Sequence, residues 1–334
     1  MGRRRLFLIL LAWLLAACTP AADSGNPVQT AMSATLTARP LVSPTAPPSP
    51  QPGAETGPSG KIVYVCQYSR RSERNQICLA QADGSGQRVL TPGGEYDDFF
   101  PSITPDGQAV LFVSSRNGPY QVYEYDLNTD QVRQLTQVAN HRLYAPEASP
   151  DNAYIVFYGE RIGQSYPQSH NLWIAARDGS NPTQITQRSG GAWDPVWSPD
   201  GTQILFASQV DGLPQLVVVN ADGSAPRQVT SLSGIRGRND WSPQGLLSTY
   251  IGTPWDRDIY TFDLNGENVR QLTDGFNNLA PSFSPDGQWI TFMSYRDHPN
   301  QNLGCEIYIM RVDGTDLRRL TDNDICDWQP RWGP

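Results

Sequence analysis

A turn tetrapeptide that appears five times, a fixed order of strands around each copy, and a tail that completes the first copy together predict an all-β chain folded as a six-bladed β-propeller. The turn is Ser284-Pro285-Asp286-Gly287, with copies at Thr104–Gly107, Ser149–Asn152, Ser198–Gly201 and Ser242–Gly245. Its prolines lie 45, 49, 44 and 42 residues apart, and 49 further residues reach Pro334. A period of about 40 to 50 residues with four strands per unit is the pattern of propeller blades. The 28 prolines, 29 glycines and 38% hydrophobic content fit many short strands joined by tight turns around a core.

The chain begins with residues that read as an export signal. Arg3 to Arg5 precede an apolar run from Leu6 to Leu15, too short to span a bilayer. The run ends Leu15-Ala16-Ala17-Cys18, which resembles the bacterial lipobox, and the resemblance implies that Cys18 becomes the lipidated first residue after cleavage of residues 1–17. The next stretch, 18–60, holds nine prolines among Ser, Thr and Ala and few large apolar residues. Such a segment cannot bury enough surface to fold. It reads as a tether reaching on the order of 100 Å at roughly 3 Å per residue.

From Lys61 the repeats run to Pro334. The first has strands equivalent to the second, third and fourth of later copies (Lys61–Cys66, Gln76–Leu79, Arg88–Thr91) but no first strand. Trp328-Gln329-Pro330-Arg331-Trp332-Gly333-Pro334 matches the missing one, as in Asp194-Pro195-Val196-Trp197-Ser198-Pro199. Closing the ring in this way removes open sheet edges. Within each copy, Pro presets φ, Asp bonds back to the backbone and Gly accepts positive φ. A second turn, Asp-Gly or Asn-Gly, lies seven residues before a closing Thr: Gly84 to Thr91, Gly179 to Thr186, Gly223 to Thr230, Gly266 to Thr273 and Gly314 to Thr321.

The succession of SPDG turn, apolar strand, Ile307-Tyr308, Asp-Gly and Arg319-Leu320-Thr321 resembles the WD-like propeller repeat of the TolB family across residues 61–334. The resemblance implies a propeller of the bacterial envelope that binds other macromolecules and, in TolB itself, contacts partners of the Tol–Pal system. The chain departs from that family ahead of the propeller, where a tether and lipobox stand in place of a small α/β domain. The same repeat also occurs in peptidase-linked propellers and in polysaccharide lyases, and fold alone does not choose among them.

Both short turns fall on one face of the ring. The loops between second and third strands, and the crossovers between blades, fall on the other. Length varies only there, in Gly159–Asn171 and Tyr295–Gly304, and variable loops on a fixed scaffold are where binding function collects. Alignment puts Asp97, Asp98, Phe99, His141, Arg142, Tyr144, Trp193, Asp194, Arg236, Arg238, Asn277, Asn278, Asp327 and Trp328 at the channel mouth on that face. Mixed charge with aromatics suits peptide or glycan recognition. Phe99, Trp193 and Trp328 occupy equivalent positions, so packing between blades is the competing reading for them.

The net charge of −8 becomes more acidic once a leader with three arginines is cleaved, which argues against nucleic acid and against a polybasic membrane patch. No catalytic motif is present. His141, His170 and His298 fall in separate loops without ligand spacing, so no metal site and no cofactor is expected; Asp97–Asp98 and Asp322-Asn323-Asp324 are weak Ca²⁺ candidates. Four cysteines besides Cys18 in an exported chain suggest two disulfides out of three possible pairings. Cys66–Cys78, flanking one hairpin, and Cys305–Cys326, on one face, are the expected pairs. The expected protein is thus a monomeric, lipid-anchored, non-enzymatic envelope protein that binds a protein, peptide or envelope polymer, facing the periplasm or cell surface. The rival is a polysaccharide-acting, lyase-like enzyme with its site at the channel mouth.

Overall fold

The computed structural model describes residues 57–67, 74–298, 304–323 and 325–334. The leader, Cys18, nearly all of the tether and Asp324 lie outside the described residues. The described chain forms six four-stranded antiparallel sheets. Blade 1 comprises Lys61–Gln67, Asn75–Gln81 and Arg88–Val89, with Trp328–Gly333 as its innermost strand. Blade 2 runs from Asp98 to Gln134, blade 3 from His141 to Gln184, blade 4 from Trp193 to Gln228, blade 5 from Asp240 to Gln271 and blade 6 from Asn278 to Arg319.

Ring closure is as the sequence predicts. Trp328–Gly333 pairs with Lys61–Gln67 in the register Lys61–Gly333, Ile62–Trp332 and Val63–Arg331. Lys61 Nζ donates to Pro334 O at 2.9 Å, and Trp332 Nε1 donates to Ser59 O at 2.9 Å. Both expected disulfides are present, Cys66–Cys78 and Cys305–Cys326. The second ties the head of the last blade's third strand to the crossover that feeds the closing strand.

Each SPDG turn is a clamp. In blade 4 the Ser198 hydroxyl donates to Asp200 Oδ1 at 2.6 Å and accepts the Gln203 N–H at 2.9 Å, while Asp200 Oδ1 also accepts from Thr202 N at 3.0 Å. Blades 2, 3 and 6 repeat it through Thr104–Asp106, Ser149–Asp151 and Ser284–Asp286. Blade 5, with Gln244 in place of Asp, keeps the Ser242 acceptor but turns Gln244 Nε2 onto Asp286 O of the next blade.

A second clamp explains the closing threonine. In blade 4, Thr230 Oγ1 accepts the Leu216 N–H at 2.9 Å and donates to Gln215 Oε1 at 2.8 Å; the same oxygen takes the Leu232 N–H of the crossover at 3.1 Å. The partner residue is Gln121 with Thr136 in blade 2, Asn171 with Thr186 in blade 3, Asp258 with Thr273 in blade 5 and Glu306 with Thr321 in blade 6. A polar side chain at the head of the third strand therefore fixes where each crossover leaves its blade. The fully buried Phe112, Phe157, Phe206 and Phe292, one each in the second strands of blades 2, 3, 4 and 6, fill the space between blades.

Removing the Thr230 hydroxyl leaves the buried Leu216 amide without a partner and takes from Gln215 Oε1 one of its two donors, a cost of about 1–3 kcal/mol. Thr230→Val should therefore lower the urea midpoint by more than Asp200→Ala, which strips an outer turn at a cost of about 1 kcal/mol. Equal midpoints for the two variants would mean that the crossover clamp carries no special weight.

Candidate functional site

The loop face is shaped by a defect repeated in each inner strand. Phe100, Ala145, Asp194, Ala280 and Gln329 adopt φ of 47–53°, and each is followed by proline. Strand registers shift at these points, between Phe99 and Ser102 and between Tyr144 and Glu147 for example. The bulge bends the strand, and the proline forfeits no ladder bond because the ladder is already interrupted there. Blade 5 keeps the conformation at Arg238 (φ 46°) with Asn239 in place of proline.

The bulge residues and those two positions later line the channel. Arg238 lies over the Phe100 ring at 5.1 Å, and its amide donates to Asp194 Oδ2 at 2.9 Å. Arg331 pairs with Asp240 at 3.2 Å and donates to Asn239 O at 3.1 Å. Glu147 Oε1 accepts the Trp197 N–H at 3.1 Å, Asp240 Oδ2 the Phe283 N–H at 2.7 Å and Ser282 Oγ the Trp332 N–H at 3.1 Å. These bonds join neighbouring blades around the axis, so the channel charges are part of the scaffold. Burial raises the Glu147 carboxyl to about 7 against the pull of Arg331, raises Asp194, and lowers the Arg238 guanidinium to about 10.

The residues expected at the mouth divide by exposure. Asp98, Trp193, Asp194, Arg238, Asn277, Asn278 and Asp327 are buried in its wall. Asp98 forms a buried pair with Arg116 at 3.0 Å, and burial outweighs that partner to raise its carboxyl. Asn278 Oδ1 accepts from Arg296 at 3.2 Å, and Asp327 is pushed up to about 7 by burial and by Glu306. Asp97 accepts the Asn75 amide at 3.0 Å and pairs with Arg74, which staples blade 1 to blade 2. Phe99 packs edge-on against Tyr120 and Trp328, spanning blades 1 and 2. Tyr144 stacks on Tyr158 at 5.1 Å and donates to Glu160, which Arg142 also reaches at 3.3 Å. His141 Nδ1 bonds Ala139 O; Arg142 and Arg236 face solvent. Among the described residues no group of three His, Cys, Asp or Glu is placed to hold a metal ion.

What projects from this face was not legible by alignment. Trp255 is 58% exposed, Tyr166 55% and Phe276 53%, and Ile162 and Leu213 join them on the same face. Every exposed Phe, Tyr or Trp among the described residues is on the loop face; the remaining large apolar residues in solvent, Val89, Val269 and Leu317, are at the outer rim. Trp255 (φ 71°) and Phe276 (φ 69°) also hold a left-handed backbone. That conformation is an outlier for a bulky side chain and collects at binding sites. Trp255 meets Tyr295 edge-on at 5.6 Å, so blades 5 and 6 share an aromatic ridge.

The sequence profile described as "TolB beta propeller domain" matches residues 53–334. The Tol-Pal system protein TolB of Bordetella pertussis is 29% identical over 277 residues, 83% of this chain and 60% of that protein. The chain thus spans about three fifths of that relative's length. The crystal structure of TolB from Acinetobacter baumannii matches with a TM-score of 0.69 at 22% identity, covering 82% of this chain and 67% of that one. An oligogalacturonate lyase in complex with manganese matches with a TM-score of 0.55 at 19% identity, over 79% of this chain and 74% of that one. Both likenesses to solved structures show the fold.

The folded chain keeps the Glu147 proton up to about pH 7, whereas the unfolded chain releases it near 4.5. Between those values the folded state binds more protons, so this group's contribution to stability falls as pH rises through the window. Glu147→Gln keeps the acceptor for Trp197 and removes the charge. Its Tm relative to wild type should be a few degrees higher at pH 8 than at pH 5. A pH-independent difference would place the Glu147 pKa near its ordinary value.

Proposed function

The chain belongs to the TolB β-propeller domain family, and from that premise we propose that it is a lipid-anchored envelope protein whose loop face binds a partner protein or peptide without chemistry. The observation that carries the reading is the segregation of exposed aromatics. Trp255, Phe276 and Tyr166 stand in solvent on one face, two of them on strained backbone. Large rigid side chains exposed together around a ring of polar and charged groups are the usual composition of an interaction surface. Tyr295 beside Trp255 and Arg296 over Phe276 cover only part of each ring, and a partner that covers the exposed remainder supplies the missing burial. The wall residues below, Asp194, Arg238 and Arg331 among them, set the floor on which such a partner rests.

The anchor is the second part of the proposal. Leu15-Ala16-Ala17-Cys18 would leave a lipidated Cys18, and more than one acyl chain makes membrane attachment stable. The tether would then hold the face away from the lipid surface.

The test is crosslinking in intact cells followed by mass spectrometry of captured proteins. A Trp255→Ala/Phe276→Ala double variant, at two solvent-exposed positions, should retain its Tm and lose the partner that wild type captures. Retention of the same partners would refute the loop-face reading. Cys18→Ser should move the chain from the membrane fraction to the soluble one, and continued sedimentation with membranes would refute the anchor.

A further inference from the structure

Two blades, the second and the sixth, offer an internal control for the third. In blade 2, Ser114 Oγ accepts from Arg116 Nε at 2.8 Å and holds the guanidinium over Tyr123 at 5.0 Å, beside Asp98. In blade 6, Ser294 holds Arg296 over Tyr308 at 4.8 Å, beside Asn278. The aligned residues of blade 3 are Gly159 for the serine, Trp173 for the tyrosine, Leu143 for the acid or amide and Arg161 for the arginine, as the strand registers show. Without the serine hydroxyl, Arg161 is exposed. The slot that arginine fills in the other two blades becomes a cleft of about 160 Å³.

The cleft's lining decides what suits it. Trp173 and His141, edge-on at 5.1 Å, form an aromatic wall. Gln164, Gln168, Gln184 and Gln187 supply carboxamides that both donate and accept. No carboxylate lines it, the exposed Arg161 guanidinium stands at its edge as a further set of donors, and Leu143 replaces the acid or amide that faces arginine in blades 2 and 6. A cation would therefore be buried without a counter-charge, at a large cost. The Trp173 Nε1–H is buried and has no acceptor. A flat apolar face bordered by amides, with a spare donor and no acid, complements a ring that carries hydroxyl groups on its edge and C–H bonds on its face.

We propose that the blade 3 cleft is a binding site for a neutral saccharide ring. It is separate from the aromatic ridge of blades 5 and 6, and it stands whether or not a protein partner docks on that ridge. Its size suits one ring of a longer glycan, with the neighbouring units lying across Gln164 and Gln168 of the hairpin loop.

The experiment is saturation-transfer NMR on the purified full chain with chitotriose, cellotriose and a trimer of galacturonic acid. The expected result is transfer to a neutral trimer, reduced at least tenfold in Gly159→Ser, in which the side chain would displace Trp173 and re-tether Arg161. Gln164→Ala/Gln187→Ala, at exposed positions of the lining, should weaken transfer with Tm unchanged, which covers the case in which the glycine variant folds poorly. Trp255→Ala should leave it intact. Absence of transfer from both neutral trimers, full transfer in the two cleft variants, or transfer from the acidic trimer alone would each overturn the proposal.

Discussion

The hydroxyl of the closing threonine sets the geometry of this propeller. It receives the amide at the head of the third strand and donates to the polar side chain just before it, and that side chain in turn holds the departing crossover. All of these groups are buried, so leaving any one unpaired costs more than the net value of making the bond. Five blades use five pairs, Gln121–Thr136 through Glu306–Thr321, to deliver each crossover to the channel mouth at the same height. The loops are free to vary because their points of departure are not.

Much of the fold was legible because its information is local and repeated. The Ser-Pro-Asp-Gly turn announces itself by residue type. The seven-residue interval to the threonine is conserved within the chain by the clamp, although the threonine's partner can be Gln, Asn, Asp or Glu and so escapes a search for one letter. The closing strand was recognisable because Trp328–Pro334 aligns with Asp194–Pro199, and the disulfides because Cys66–Cys78 and Cys305–Cys326 are each close along one hairpin or one face.

The mouth was less legible, for a physical reason. Alternation of side chains along a strand assigns facing only while the pleat is regular. A left-handed residue before proline breaks that count at Phe100, Ala145, Asp194, Ala280 and Gln329. Asp98 and Asp194 read as rim residues and are walls. Trp255 sits at the tip of a second-to-third-strand hairpin whose residues differ from blade to blade, and Phe276 lies one residue ahead of the aligned mouth positions Asn277 and Asn278, so the alignment passed over both. The Gly159 cleft depends on a difference between blades, visible only once Ser114–Arg116 and Ser294–Arg296 reveal what the slot holds in blades 2 and 6.

The closing strand has a mechanical side. Lys61 begins a strand hydrogen-bonded on both flanks, to Asn75–Gln81 and to Trp328–Gly333. A pull entering the propeller from its N-terminal side and directed along that strand would strain both ladders simultaneously instead of unzipping one bond at a time. Should the strand slip, the Cys66–Cys78 link would stop extraction near residue 66 and pass tension into the hairpin behind it. The seam that makes the ring is thus also its strongest point of attachment.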